Sequence, residues 1–287
     1  MCSPVVMEKV AQEISRRNLL KGGGAIAAVS ATGLAGLHRQ ARAQTTAEAT
    51  PIGNGFVFPS FSTVFDLTHT WGPDFPVFYG ATSPVFEVLA TVDPNGFYKM
   101  WLQFDEHTGT HMDAPGHFVA DGMTADLLPI EQFFAPLVVI DISAKAADDP
   151  DAQGTVEDLA TWEAEYGAIP AGAFVALNSG WGAKTADPAA FINLDADNVQ
   201  HFPGWHADAA AELVARGISG AGVDTASLDH GPSADFAAHL TFLPAGVFGI
   251  EGLANLDSVP AHGAHVIIGG PKHVAASGGP SRVFAVL

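Results

Sequence analysis

Four short, almost wholly apolar runs constrain this chain more than any other feature: Leu137–Ile142, Phe174–Leu177, Gly220–Val223 and Val266–Ile268. Each is too short to be a stable helix, the pattern of a strand covered on both faces. Helical patterns lie between the strands. Val156–Tyr166 is one, with Thr155 as its N-cap. Ala-rich His206–Arg216 is another and ends before Gly217. Strands alternating with helices predict an α/β fold with a mixed sheet. Phe86–Val92 and Tyr98–Phe104 read as two further strands, separated by a turn at Asp93-Pro94-Asn95-Gly96. The 287 residues suffice for a sizeable core.

The N-terminal segment has a different character. Ser15-Arg16-Arg17-Asn18-Leu19-Leu20-Lys21 is a twin-arginine pattern, followed by an uncharged, Gly- and Ala-rich stretch from Gly22 to Leu37. Ala41-Arg42-Ala43 then supplies a small-residue cleavage pattern. Residues 1–43 therefore read as an export signal handled by the twin-arginine machinery, with the periplasm or the exterior as destination. The apolar stretch is shorter than the ~20 residues of a membrane span. Residues 44–60 read as a linker and 61–287 as the working domain.

Charge narrows the partners. The chain carries a formal charge of −19, and residues 1–43 hold six of its 12 basic but only two of its 31 acidic residues, so removing them leaves −23. Such a surface repels nucleic acid and anionic membranes and favours a small, neutral substrate. The single cysteine, Cys2, lies in the signal segment. A metal in the mature chain must then be held by His, Asp and Glu, a donor set that suits zinc or manganese.

Those residues concentrate in one place. His107, His111 and His117 fall within eleven residues, with Asp113 and Glu106 among them. Histidines four apart can meet one ion on a helical turn. Gly109 and Pro115 exclude a long helix, so the segment reads as a tight turn or short helix. Asp113 adds an anionic ligand. His117, returned toward the site by Pro115, can act as proton acceptor and donor. Further ligands are expected in Asp229-His230 and between His239 and Glu251. Glu251 stands out as nearly the only charge in the run Leu240–Leu256, and carboxylates are rarely buried without a partner.

The run His107-Thr-Gly-Thr-His111-Met-Asp113-Ala-Pro115-Gly-His117 resembles the H-x-G-T-H-x-D-x-P-x-H signature of the cyclase family, which includes bacterial kynurenine formamidase (arylformamidase) and isatin hydrolase. The likeness begins near Asp66-Leu67-Thr68-His69. Asn178-Ser179-Gly180-Trp181 resembles the family's T-G-W turn, Asp224-Thr225-Ala226-Ser227-Leu228-Asp229 its D-T-x-S-x-D segment, and Glu251-Gly252-Leu253-Ala254-Asn255-Leu256 its E-N-L-x-N-L segment, with Gly252 in place of the usual Asn. The resemblance implies a swivelling β/β/α domain, assembled as a homodimer or homotetramer whose subunits shape one another's pockets. It implies His107, His111 and Asp113 as ligands of a zinc or manganese ion. His239 and Glu251 would complete that site or hold a second ion, and His117 would be the acid/base.

The function expected is a metal-dependent hydrolase of a small neutral amide, lactam or ester, working by metal-activated water. The same signature would serve a cyclase or dehydratase. A non-catalytic periplasmic metal- or ligand-binding protein is a further alternative, one that would not need His117. Aromatic residues precede the motif, and Phe78, Tyr79 and Trp181 are expected to contact substrate.

Overall fold

The computed structural model describes residues 61–287. The signal expected over residues 1–43 and the linker expected over 44–60 lie outside the described residues. The chain divides into two compact units. The described part of one is Phe61–Glu87 and Trp101–Leu287, and that of the other is Val88–Met100, which contains the short helical turn Val92–Asn95.

In chain order the strands are β1 (Val64–Asp66), β2 (Val85–Ala90), β3 (Lys99–Gln103), β4 (His111–Asp113), β5 (Phe134–Asp141), β6 (Gln153–Gly154), β7 (Phe174–Asn178), β8 (Gly204–Trp205), β9 (Gly220–Val223), β10 (Phe248–Glu251), β11 (His265–Gly269), β12 (Gly278–Pro280) and β13 (Arg282–Val286). The helices are α1 (Ser143–Asp148), α2 (Val156–Tyr166), α3 (Pro188–Ile192), α4 (Ala207–Ala215) and α5 (His239–Phe242). Nine strands form one large curled mixed sheet in the order β1-β13-β11-β5-β7-β9-β10-β4-β12. Its centre, β5-β7-β9-β10, is parallel, and both flanks are antiparallel.

The parallel centre accounts for the apolar runs, because both of its faces are covered. Alternate side chains enter two cores. Val138, Ile140, Val175 and Leu177 pack with Leu159 and Trp162 of α2 and Leu213 of α4. Leu137, Val139, Phe174 and Ala176 pack with Val266, Ile268, Val283 and Ala285 from the antiparallel flank. Fully burying one such side chain contributes about 1.5–3 kcal/mol. The helix limits follow their caps. Thr155 opens α2 with its N–H donating to Asp158 Oδ2 at 2.7 Å, and Gly167 follows the helix at φ 93°. His206 opens α4 by accepting the Asp208 N–H at 3.2 Å.

One expectation needs correction. The motif segment, expected as a tight turn or short helix, carries a strand at its middle. Gly109, at φ 74°, turns the chain into strand β4, and a single 3-10 turn, Pro115–His117, follows. The reason is the alternation His-Met-Asp: Met112 is buried in the second core, so its neighbours must face the other way. Antiparallel pairing with β10 sets Glu251 opposite His111 and Gly249 opposite Asp113. Three of the expected ligands thereby share one face of the sheet. Strands β1, β10, β12 and β13 are not among those read from the sequence.

Candidate metal centre

The strand-borne trio forms the base of the site. His111 Nδ1–H donates to the Gly109 carbonyl at 3.0 Å, which leaves Nε2 as the free position. That atom lies 3.3 Å from Glu251 Oε2 and 3.5 Å from Asp113 Oδ1, is buried, and makes no well-oriented hydrogen bond. A bare imidazole nitrogen facing two carboxylates is repulsive unless a proton or a cation lies between them. Burial alone would lower the His111 pKa, yet the Asp113 and Glu251 carboxylates overcome it and raise it to about 10.

His239 arrives from the start of α5 and repeats the arrangement. Asp229 Oδ1 accepts the Ala238 N–H at 2.7 Å, and Asp229 Oδ2 accepts the His239 N–H at 3.2 Å and Nδ1–H at 2.6 Å. Nε2 is thereby aimed between Asp113 Oδ2 and Glu251 Oε1, both at 3.2 Å. Burial would depress its pKa too, but its carboxylate partners, Asp113 foremost, hold it well above the usual imidazole range. Glu251 Oε1 is oriented by the Leu228 N–H at 2.8 Å. A carboxylate fixing the outer nitrogen of a histidine is the usual support of a metal ligand.

The loop before β4 adds His107. Its Nδ1 is 2.7 Å from Asp113 Oδ1, and its Nε2 is 3.1 Å from Ser277 Oγ. The His117 ring stacks on His107 at 3.9 Å between centroids. The His117 backbone N–H donates to the Ala114 carbonyl at 2.9 Å, while its ring makes no hydrogen bond among the described residues. Burial is the main force lowering its pKa, opposed by Asp113 and assisted by His107. It is the exposed member of the group.

Two donor sets share Asp113: His111, Asp113 and Glu251, and His107, Asp113 and His117. Within each set the ligand atoms lie within 4.8 Å of one another. The donors are imidazole nitrogens and carboxylate oxygens, the set that holds zinc or manganese. The unbonded Nε2 of His111, and the Nε2 of His239, which lies 3.2 Å from both Asp113 Oδ2 and Glu251 Oε1, face carboxylates and fit a divalent cation.

Above the cluster opens a cavity of about 370 Å³. Its floor is His107, His111, His117, His239 and Glu251, and its walls include Phe75, Phe78, Phe118, Phe191 and Phe236. Phe118 stacks on His239 at 4.7 Å, and Phe236, held at φ 52°, lies 5.5 Å from Phe118. Positive φ is uncommon for a bulky residue and costs strain that its surroundings must hold.

The fold thus brings together His107, His111, Asp113, His117, His239, Glu251 and Phe78. Tyr79 and Trp181 are not among the residues lining the cavity, which corrects their expected place. Tyr79 is half-exposed, and its N–H donates to Gln200 Oε1. Trp181 is buried because its indole N–H donates to the Phe191 carbonyl at 2.7 Å and Lys184 covers its ring at 3.0 Å. It supports the wall residue Phe191 rather than forming the wall. The Asn-Ser-Gly-Trp turn is itself anchored on buried Asp224, which accepts from Ser179 Oγ, Ser179 N–H and Gly182 N–H. Burial pushes the Asp224 pKa up against these bonds. Gly252 sits at φ 62°, and a Cβ there would lie 2.8 Å from the Gly109 carbonyl oxygen, so this backbone calls for glycine where the family usually has Asn. The roles of Phe191, Phe236 and Ser277 were not read from the sequence. Phe191 and Phe236 belong to short segments with no periodicity to mark them.

Residues 65–230 match the model of a family described as "Putative cyclase". The chain belongs to the cyclase family. Residues 13–33 match the twin-arginine translocation signal, so this family member is exported across the membrane. The isatin hydrolase of Roseibium aggregatum is 35% identical, the match covering 78% of this chain and 91% of that one. The kynurenine formamidase of Salinibacter ruber is 32% identical over 65% of this chain and 77% of its own. An isatin hydrolase bound to the product analogue thioisatinate superposes with a TM-score of 0.75 at 33% identity, covering 78% of this chain and 92% of that one. These likenesses support a metal-dependent hydrolase of amide bonds. Among the described residues no helix is long and apolar enough to cross a membrane.

Proposed function

We propose that this exported cyclase-family protein hydrolyses a small neutral aryl amide or lactam, of the kind named in its relatives, isatin or an N-formyl aryl amine. The observation that carries the reading is the pair of buried Nε2 atoms, His111 and His239, turned on Asp113 and Glu251 beneath an aromatic cavity. His107, His111, Asp113, His239 and Glu251 would hold one or two zinc or manganese ions. Such an ion, when bound, supplies Lewis acidity and lowers the pKa of water toward ~7.

The chain's own residues do the rest. The aromatic walls take a flat substrate and exclude bulk water from the acyl carbon. Among the described residues nothing bonds the His117 ring nitrogens, and its lowered pKa leaves it neutral and able to accept a proton near pH 7. It takes the proton of the attacking water and returns it to the leaving nitrogen. One C–O bond forms, one C–N bond breaks, and a carboxylate and an amine result. Exposed Val85, Trp101, Leu102 and Phe104 favour the homodimer or homotetramer expected of the family.

The test is elemental analysis of the mature protein, with isatin, N-formylkynurenine and a γ-lactam assayed before and after chelation. Stoichiometric zinc or manganese with chelator-sensitive carboxylate formation supports the proposal. Metal without turnover points to a binding protein or to a cyclase, and folded protein that takes up no metal overturns it.

A further inference from the structure

Three histidines of the centre each have one nitrogen engaged away from Asp113 and Glu251. His111 gives Nδ1–H to the Gly109 carbonyl, and His239 gives Nδ1–H to Asp229. Both leave Nε2 for the centre. His107 is the reverse: its Nδ1 faces Asp113 and its Nε2 faces Ser277 Oγ at 3.1 Å. What decides its tautomer therefore lies beyond Ser277.

A serine hydroxyl has one proton to give. Ser277 Oγ is 2.5 Å from Glu106 Oε2, a carboxylate that can only accept, so the hydroxyl proton goes there. The same Oε2 accepts the Ser277 N–H at 3.2 Å, which fixes the serine from two sides. Ser277 Oγ can then only accept from His107, and Nε2 must carry the hydrogen. Nδ1 is left to meet an ion beside Asp113. The other Glu106 oxygen, Oε1, accepts from His273 Nε2 at 2.6 Å, holding the carboxylate in place from the surface side. Space is tight around this contact: a Cβ added to Gly278 would lie 2.8 Å from His107 Cε1.

We propose that Glu106, acting through Ser277, is the positioning residue that sets the His107 tautomer and presents Nδ1 to the metal. The assignment rests on the reading of His107 as a ligand. Hydrogen bonds of this outer kind are typically worth about ten- to hundredfold in metal affinity.

The experiment measures manganese and zinc affinity of the metal-depleted mature protein by competition with a chelator. Glu106→Ala releases the Ser277 proton to His107 Nε2, and the affinity is expected to fall about ten- to hundredfold. Ser277→Ala should do the same. The double variant should bind no worse than Ser277→Ala, because both changes act through one atom. Glu106→Gln keeps an acceptor for the hydroxyl and should stay within about threefold of the wild type. Should Glu106→Ala fold poorly, Ser277→Ala and Glu106→Gln carry the test.

Equal losses in Glu106→Gln and Glu106→Ala would overturn the assignment in favour of simple charge attraction. Additive losses in the double variant, or wild-type affinity in both alanine variants, would also overturn it. Wild-type protein that binds neither metal would overturn the reading of the centre itself, and this assignment with it.

Discussion

Removing the metal should make the stability of this protein depend on pH through His111. The imidazole is buried between Asp113 and Glu251, and its pKa in the folded, metal-free chain is raised from 6.5 to about 10. The folded state therefore binds the proton more tightly than the unfolded chain. The resulting stabilisation is whole below pH 6.5 and is lost as the pH rises through about 10. Each unit of pKa difference is worth about 1.4 kcal/mol, so the full loss is on the order of 5 kcal/mol. For a body of this size each kcal/mol moves the melting temperature by about 2–4 °C, which gives a fall of roughly 10–20 °C. A divalent ion held by His111, Asp113 and Glu251 would offset the carboxylate charge in the proton's stead, so the loaded protein should lose much less. The assay is calorimetric melting of chelator-treated and manganese- or zinc-loaded protein from pH 6 to 10. A metal-free melting temperature that stays level or rises over that interval would refute the argument, as would equal falls in both forms.

Three further outcomes are expected. His117→Ala should retain its metal and lose about 10²–10⁴-fold in kcat, the usual worth of a proton shuttle; loss of the metal in elemental analysis would make His117 a ligand instead. Gly278→Ala should destabilise the chain by about 1–3 kcal/mol, because its Cβ would run into the Met112 carbonyl across the β4–β12 pairing; an unchanged denaturant midpoint would show that β12 can shift freely. Phe236→Ala should raise KM for an aryl amide by about three- to tenfold, the worth of one aromatic contact, while KM for an aliphatic lactam changes little; equal effects on both substrates would remove Phe236 from aryl recognition.

Several features were legible along the chain because their causes are local. The twin-arginine pattern and the lack of cysteine beyond Cys2 follow from residue identity alone. The central parallel strands were legible because strands covered on both faces must be apolar throughout, and α2 because Thr155 and Asp158 cap it within four residues. The eleven-residue motif named candidate ligands by type and spacing, and the structure brings them together. The motif's central strand was not read, because histidines four apart also suit a helical turn, whereas buried Met112 commits His111–Asp113 to a strand.

The rest was decided by pairings between distant residues. Glu251 faces His111 only because β10 and β4 are antiparallel in one register, and a shift by one residue would turn it into the core. The directions of His239 and His107 depend on Asp229 and on Ser277 with Glu106, the latter contacts spanning some 170 residues of chain. Tyr79 and Trp181 left the expected wall, and Phe191 and Phe236 entered it, because a ring's direction is set by what packs behind it. The sequence alone determined which chemical groups this protein has and that they lie on a buried α/β scaffold. Tertiary structure alone decided which lone pairs meet, since hydrogen-bond direction and strand register are long-range properties that no local pattern encodes.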